Sequence, residues 1–170
     1  RLLLTLNNRL NAMLDRIEQE DKKFVFRYRR DSIYNTIQKL DVRTFDAIIN
    51  SKGEPIFETG NVTLSNLMEV VNTGDNSLYF IHKDLPEDTR AAGRATVKSF
   101  GVKSRFVHFE FFRLLSDHEG LGKKGQIMAL EVNMRPCGGF TPDMINFAHS
   151  TNVYKIWADM IAYGDSLMPV

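Results

Sequence analysis

The chain has 170 residues, 43% of them hydrophobic and 25% charged, the make-up of a globular domain long enough to bury a proper core. Its single cysteine, Cys137, excludes an internal disulfide framework and fits a reducing compartment, so a cytoplasmic location is expected. No apolar run approaches the roughly 18 residues of a membrane helix, and the formal charge of +1 argues neither for nor against a polyanionic partner.

Residues 1–23, "RLLLTLNNRLNAMLDRIEQEDKK", read as an amphipathic helix with Leu3, Leu6, Leu10, Met13, Leu14 and Ile17 on one stripe. The segment has no small-residue cleavage signal and is not read as a secretory peptide. Because it starts within a helical pattern and without Met, the chain is expected to be a fragment, or the trailing part of a longer enzyme. "FVFRYRRD" predicts a short strand, and "SIYNTIQKL" a short helix behind Asp31 as N-cap. Arg27, Arg29 and Arg30 read as a solvated edge; with only Phe26 and Tyr28 interleaved, they do not predict a nucleic-acid partner. Residues 1–43 thus form a helical and basic lead-in, and residues 44–170 the main lobe.

"FDAIINSKGEPIFETG" predicts a hairpin turning at Lys52-Gly53, and "SLYFIH" a further strand. "LPEDTRAAGRATVKSFG" reads as a helix with acids in its first turn and Gly101 as its stop. "SRFVHFEFFRLL" and "QIMALEVNM" are the strongest strands, joined by the polar turn "SDHEGLGKKG". That turn lacks Walker spacing and reads as a solvated hairpin loop. "TPDMINFAH" predicts a helix with Thr141 as cap and Pro142 at the first helical position. "STNVYKIWADMIAYG" predicts a last amphipathic helix, striped by Val153, Ile156, Trp157, Met160 and Ile161 and ending at Gly164. Hairpins and helices in blocks give an α+β fold, a mostly antiparallel sheet with flanking helices.

Strand alternation places Phe106, His108, Glu110 and Phe112 on one face. On the next strand it groups Ile127, Ala129, Glu131, Asn133 and Arg135, with Met128, Leu130, Val132 and Met134 opposite. Pairing Glu110 with Glu131 centres the turn between Gly120 and Leu121, inside the polar linker, and sets His108 against Asn133. Two opposed carboxylates repel on a bare sheet; a hard cation between them turns the repulsion into coordination. Asn133 adds a neutral oxygen, and the planar fork of Arg135 suits a phosphate or carboxylate. Charged residues alternating on an antiparallel strand also describe a plain solvated face, and both readings stand at this level. Gly138 and Gly139, just before a helix start, allow backbone N–H groups close to an anion or simply form a tight turn. Cys137 reads as a small loop-filling residue rather than a nucleophile. His108 reads equally as a substrate contact and as a structural, hydrogen-bonded histidine.

The segments "FVHFEFF" and "ALEVNMRPCGGFTPDMINFAHSTNVYKIWADMIAYG" resemble the C-terminal part of ATP-grasp ligases, especially the branch of carbamoyl-phosphate synthase large subunits and amino-acid ligases. The hairpin at 45–60 and the segment "LYFIHKDLPEDTRAAGRATVKSFGV" are similar to the portion preceding it, so the likeness covers residues 44 to 164. It implies an ATP-grasp-like metal-binding lobe in which Glu110, Glu131 and Asn133 bind the Mg²⁺ that bridges ATP phosphates. It implies further that Arg135 acts on the transferred phosphoryl group and that Gly138 and Gly139 border the substrate carboxylate, with His108 or Asp46 lining the pocket. The implied reaction is activation of a small carboxylate as an acyl-phosphate for attack by an amine or other nucleophile. The family's paired ATP lysines and glycine-rich flap have no recognisable match in the sequence. The partner implied is a missing N-terminal lobe or another subunit, and the alternative is a catalytically silent domain that binds nucleotide or protein.

Overall fold

The computed structural model describes residues 40–63, 78–117, 119–120 and 122–165. The helix and strand expected within residues 1–31 and the helix expected over 32–40 fall on residues outside that set, apart from Leu40. The chain divides into two compact units, residues 1–40 with 65–77 and residues 41–64 with 78–170. The second carries the fold described below.

Six strands and three helices follow one another as β1 (Leu40–Ile49), β2 (Pro55–Thr59), β3 (Asn61–Thr63), β4 (Tyr79–Ile81), α1 (Glu87–Ser99), β5 (Arg105–Leu114), β6 (Ile127–Asn133), α2 (Thr141–His149) and α3 (Val153–Tyr163). The expected start of the lobe at residue 44 falls inside β1. The sheet order is β4-β3-β1-β5-β6, with β2 also on β1. β2 and β3 meet β1 antiparallel in one common register, Asp46 opposite Thr59 and Arg43 opposite Val62, so they act as one strand broken at Gly60. A side chain at Gly60 would collide with the Thr44 carbonyl, its Cβ lying 2.1 Å from that oxygen. β5 runs antiparallel to β1: His108 meets Asp46, and Ser104 N–H donates to the Asn50 carbonyl. This is the expected α+β architecture with an antiparallel sheet.

Burial of the central strands on both faces explains their composition. Phe45, Ala47 and Ile49 of β1 join Val107, Phe109 and Phe111 of β5 in one core beneath α1. Ile48 and Phe106 belong to a second core with Phe57, Cys137, Ile145, Val153, Ile156 and Met160, which α2 and α3 cover. Gly93 brings α1 close to the sheet, since a Cβ there would stand 2.1 Å from the Phe45 ring. The helix ends as expected at Gly101, with φ +59. Val102 N–H donates to the Val97 carbonyl and Gly101 N–H to that of Lys98, while both valines enter the core, a complete Schellman stop.

Two helix expectations are corrected. Phe140, not Thr141, is the N-cap of α2, and no side chain caps it; the Thr141 hydroxyl instead meets the Tyr79 hydroxyl at 3.1 Å. In α3, Val153, Ile156 and Met160 are buried, but Ile161 is 61% exposed because the second core covers a narrower stripe than the sequence suggests. Gly164 does terminate α3, with φ +79. Among the described residues, no helix is long and apolar enough to cross a membrane.

The β5–β6 hairpin has the expected register at its open end: His108 opposite Asn133, Phe109 opposite Val132, Glu110 opposite Glu131. Beyond it the ladder shifts to Phe111 opposite Ala129, leaving Leu130 as the extra residue of a β-bulge. The bulge reverses the faces expected for the first half of β6. Ile127 packs with Val132 and Met134 against the α1-side core, and Met128 pairs with Phe112. The connecting loop is largely exposed, with Asp117 accepting from the Lys124 N–H and pairing with the Lys123 ammonium.

Candidate metal centre

Even positions of β1 and β5 face the α2–α3 side, and this face changes character along its length. Its Ile48 and Phe106 end is apolar. Further along stand Asp46, His108 and Glu110, continued on β6 by Glu131 and Asn133. The pleat therefore gathers three acidic side chains, one imidazole and one carboxamide from three neighbouring strands.

Asp46 is fully buried and saturated with donors. The Thr44 hydroxyl donates to Oδ2 at 2.6 Å and itself accepts from the Asn61 N–H at 2.9 Å. His108 Nδ1 lies 2.7 Å from Oδ1 of Asp46, and its Nε2 lies 3.2 Å from Oε1 of Glu110. Burial opposes a charge on this ring, but the hydrogen bonds and negative charges of Asp46 and Glu110 prevail and raise its pKa to about 10. At neutral pH the ring is thus an imidazolium, and both nitrogens donate. With both taken and only 9% of the residue exposed, His108 has no nitrogen free for a substrate, which makes it a support rather than the expected pocket lining. Asp46, the alternative expected to line the pocket, is fully buried.

Cys137 joins the same cluster. Its Sγ lies within 4.8 Å of the ligand atoms of Asp46 and His108. Burial pushes the thiol pKa up, and the charge of Asp46 and the hydrogen bond to it push it further. The group is a protonated donor and a poor nucleophile, in keeping with the loop-filling role read from the sequence. Its contact fastens the β6–α2 loop to the buried aspartate.

Glu110 and Glu131 face each other across the ladder. Glu110 has the imidazolium; Glu131 has no hydrogen-bond or ion-pair partner among the described residues. Asn133 Nδ2 is buried without a hydrogen-bond partner there. Turning that amide to present Oδ1 therefore forfeits no bond. Two opposed carboxylates and a carboxamide without commitments form an oxygen donor set suited to a hard divalent cation.

Arg135 is placed differently from the strand expectation, whereas Gly138 and Gly139 lie where expected, just before a helix. β6 ends at Asn133, so Arg135 belongs to the following loop, exposed, with Nη1 donating to the Pro136 carbonyl at 3.0 Å. Gly138 and Gly139 are exposed in the same loop, just before α2, and Gly139 has φ +62. Nothing lies within 4 Å of where a Cβ would stand on either glycine, so their backbone faces open space.

The sequence reading missed the depth of the support beneath the carboxylates: Thr44 and Cys137 converge on Asp46, and the Asn61 N–H backs the Thr44 hydroxyl. One signal was available, an aspartate within the hydrophobic run "FDAII", since a charge on a doubly buried strand needs dedicated partners. No protein-family model matches the chain, and no curated protein matches it in sequence.

Proposed function

We propose that this lobe holds Mg²⁺ against the phosphates of ATP in an ATP-grasp-type ligase that joins a small carboxylate to an amine or other nucleophile. The observation that carries the reading is the in-register opposition of Glu110 and Glu131, with only His108 among the described residues paired to either of them. Glu110, Glu131 and Asn133 would hold the ion, which when bound neutralises charge on the phosphoryl oxygens. Arg135, tied by one N–H to its own loop, keeps other guanidinium donors for the transferred group. The open backbone of Gly138 and Gly139 suits approach of the substrate carboxylate.

In the proposed reaction a carboxylate oxygen attacks the γ-phosphorus and the bond to the β–γ bridging oxygen breaks, releasing ADP. An amine nitrogen then attacks the acyl carbon, the phosphate departs with the electrons of the C–O bond, and the nitrogen loses a proton. The residues contribute chiefly position and charge compensation.

Calorimetric titration with Mg·ATP tests the reading. Wild-type protein binds only with Mg²⁺ present, and Glu131→Gln weakens binding beyond the roughly 10–100-fold produced by losing an outer-shell group. Equal behaviour of the two proteins would sink it. The absence of recognisable paired lysines favours a binding-only version of the same site, and ADP release on addition of carboxylate and amine separates the two.

A further inference from the structure

The buried network beneath the carboxylates is more elaborate than a sheet needs. A lone glutamate on a pleated face has freely rotating oxygens, yet Glu110 has Oε1 held by a ring that is itself held from behind. Asp46 cannot move, being completely buried and bonded to the Thr44 hydroxyl, which is bonded in turn to the β3 backbone. The path runs from that backbone through Thr44, Asp46 and His108 to one named oxygen of Glu110. A carboxylate held by one oxygen keeps the other for a cation, in one orientation rather than many. Outer partners that fix a ligating group in this way commonly govern affinity.

We infer that His108 is a positioning residue that, braced by Asp46, presents the second carboxylate oxygen of Glu110 to a divalent cation shared with Glu131. The inference rests on the metal reading above and adds a role that the ligand set alone does not supply. The ring spends both nitrogens on this task, which is why histidine, with donors on opposite sides, suits the position.

Two substitutions separate the ring's ends. His108→Asn keeps a donor near Asp46 and none near Glu110; His108→Gln reaches Glu110 and gives up the bond to Asp46. The full chain is titrated with Mn²⁺, following the free ion by electron paramagnetic resonance, and each variant's urea midpoint is measured alongside. His108→Asn is expected to bind Mn²⁺ about 10-fold more weakly or worse, while His108→Gln, which keeps the Glu110 contact but loses the brace, falls between it and wild type. A purely structural histidine predicts instead that affinity follows the urea midpoint in both variants, and that outcome overturns the inference. If wild type binds, Glu131→Gln does not and His108→Asn matches wild type, the inference fails and the metal reading survives. If wild type takes up no Mn²⁺, both fail.

A measurement on unmodified protein covers the event that a variant does not fold. In ¹⁵N-histidine-labelled wild type, saturating Mg²⁺ is expected to shift the Nε2–H resonance of His108 more than its Nδ1–H resonance. No shift at Nε2–H while Mg²⁺ binds overturns the proposal.

Discussion

The two faces of the sheet treat acidic residues in opposite ways. On the α1 side, Glu58 of β2 is nearly buried and is held by Arg94 through two bonds of 2.7 Å and by Arg90 at 3.3 Å. Asp88, at the start of α1, is paired with Arg113 of β5. On the other side, Glu110 and Glu131 face each other with one imidazolium between them and Asp46, and Glu131 has no partner among the described residues. Arginine closes one set of acids permanently. The other set is left with surplus negative charge where a sheet gains nothing from it.

Three measurements break or sharpen this contrast. The largest effect is expected at Glu58: Glu58→Ala leaves half-buried Arg90 only the exposed Glu87 and the Leu85 carbonyl and lowers stability by about 1–2 kcal/mol in urea unfolding, discounted because Arg94 is exposed. The same variant should bind Mn²⁺ as wild type does; weakened binding would merge the two faces into one network. On the open side the sign reverses. Without divalent ions, Glu131→Gln relieves repulsion and raises stability by about 0.2–1 kcal/mol, whereas in excess Mg²⁺ wild type becomes the more stable protein. A Glu131→Gln protein that is less stable in chelator would show that the carboxylate is structural.

The smallest effect concerns Asp88. Burial disfavours its charge, but the hydrogen bond from Arg113, that of the Thr89 N–H and the guanidinium charge together hold its pKa below the ordinary 3.8. A depressed carboxylate contributes stability above its unfolded pKa and loses it as pH falls through the folded value. Acid titration of stability should therefore show a shoulder below about pH 4, a few tenths of a kcal/mol deep for so exposed a pair. Arg113→Ala should shrink that shoulder to what the Thr89 N–H sustains and leave the neutral-pH affinity for Mn²⁺ unchanged.

The fold and the β5–β6 register were readable because each depends on local pattern. Alternation in "FVHFEFF" and "ALEVN", with one polar turn between them, fixes Glu110 opposite Glu131. Gly101 and Gly164 stop their helices through positive φ, a property written in the residue itself. The bulge left no such trace, since "MALE" alternates plausibly on either side of the extra residue and packing against α1 decides which. Asp46 was visible as a residue and invisible as an anchor. Its donors come from Thr44, His108 and Cys137, and the latter two stand 62 and 91 positions away, so only the assembled sheet and loop bring them together. Arg135 was projected along a strand that stops at Asn133.

The surplus residue at Leu130 also divides the evolutionary freedom of β6. A strand with unbroken two-residue phase must satisfy one pair of environments from end to end. Here the phase slips once, so Ile127 and Val132, on opposite sides of the slip, both meet the α1-side core while Glu131 and Asn133 stay on the acidic face. Point substitutions in either half leave the other half's orientation intact. Removing Leu130 would do the same: Ala129 would stay opposite Phe111 and Glu131 opposite Glu110, now as neighbours in one unbroken alternation. The inserted residue adds a bend to β6 without deciding which side chains meet.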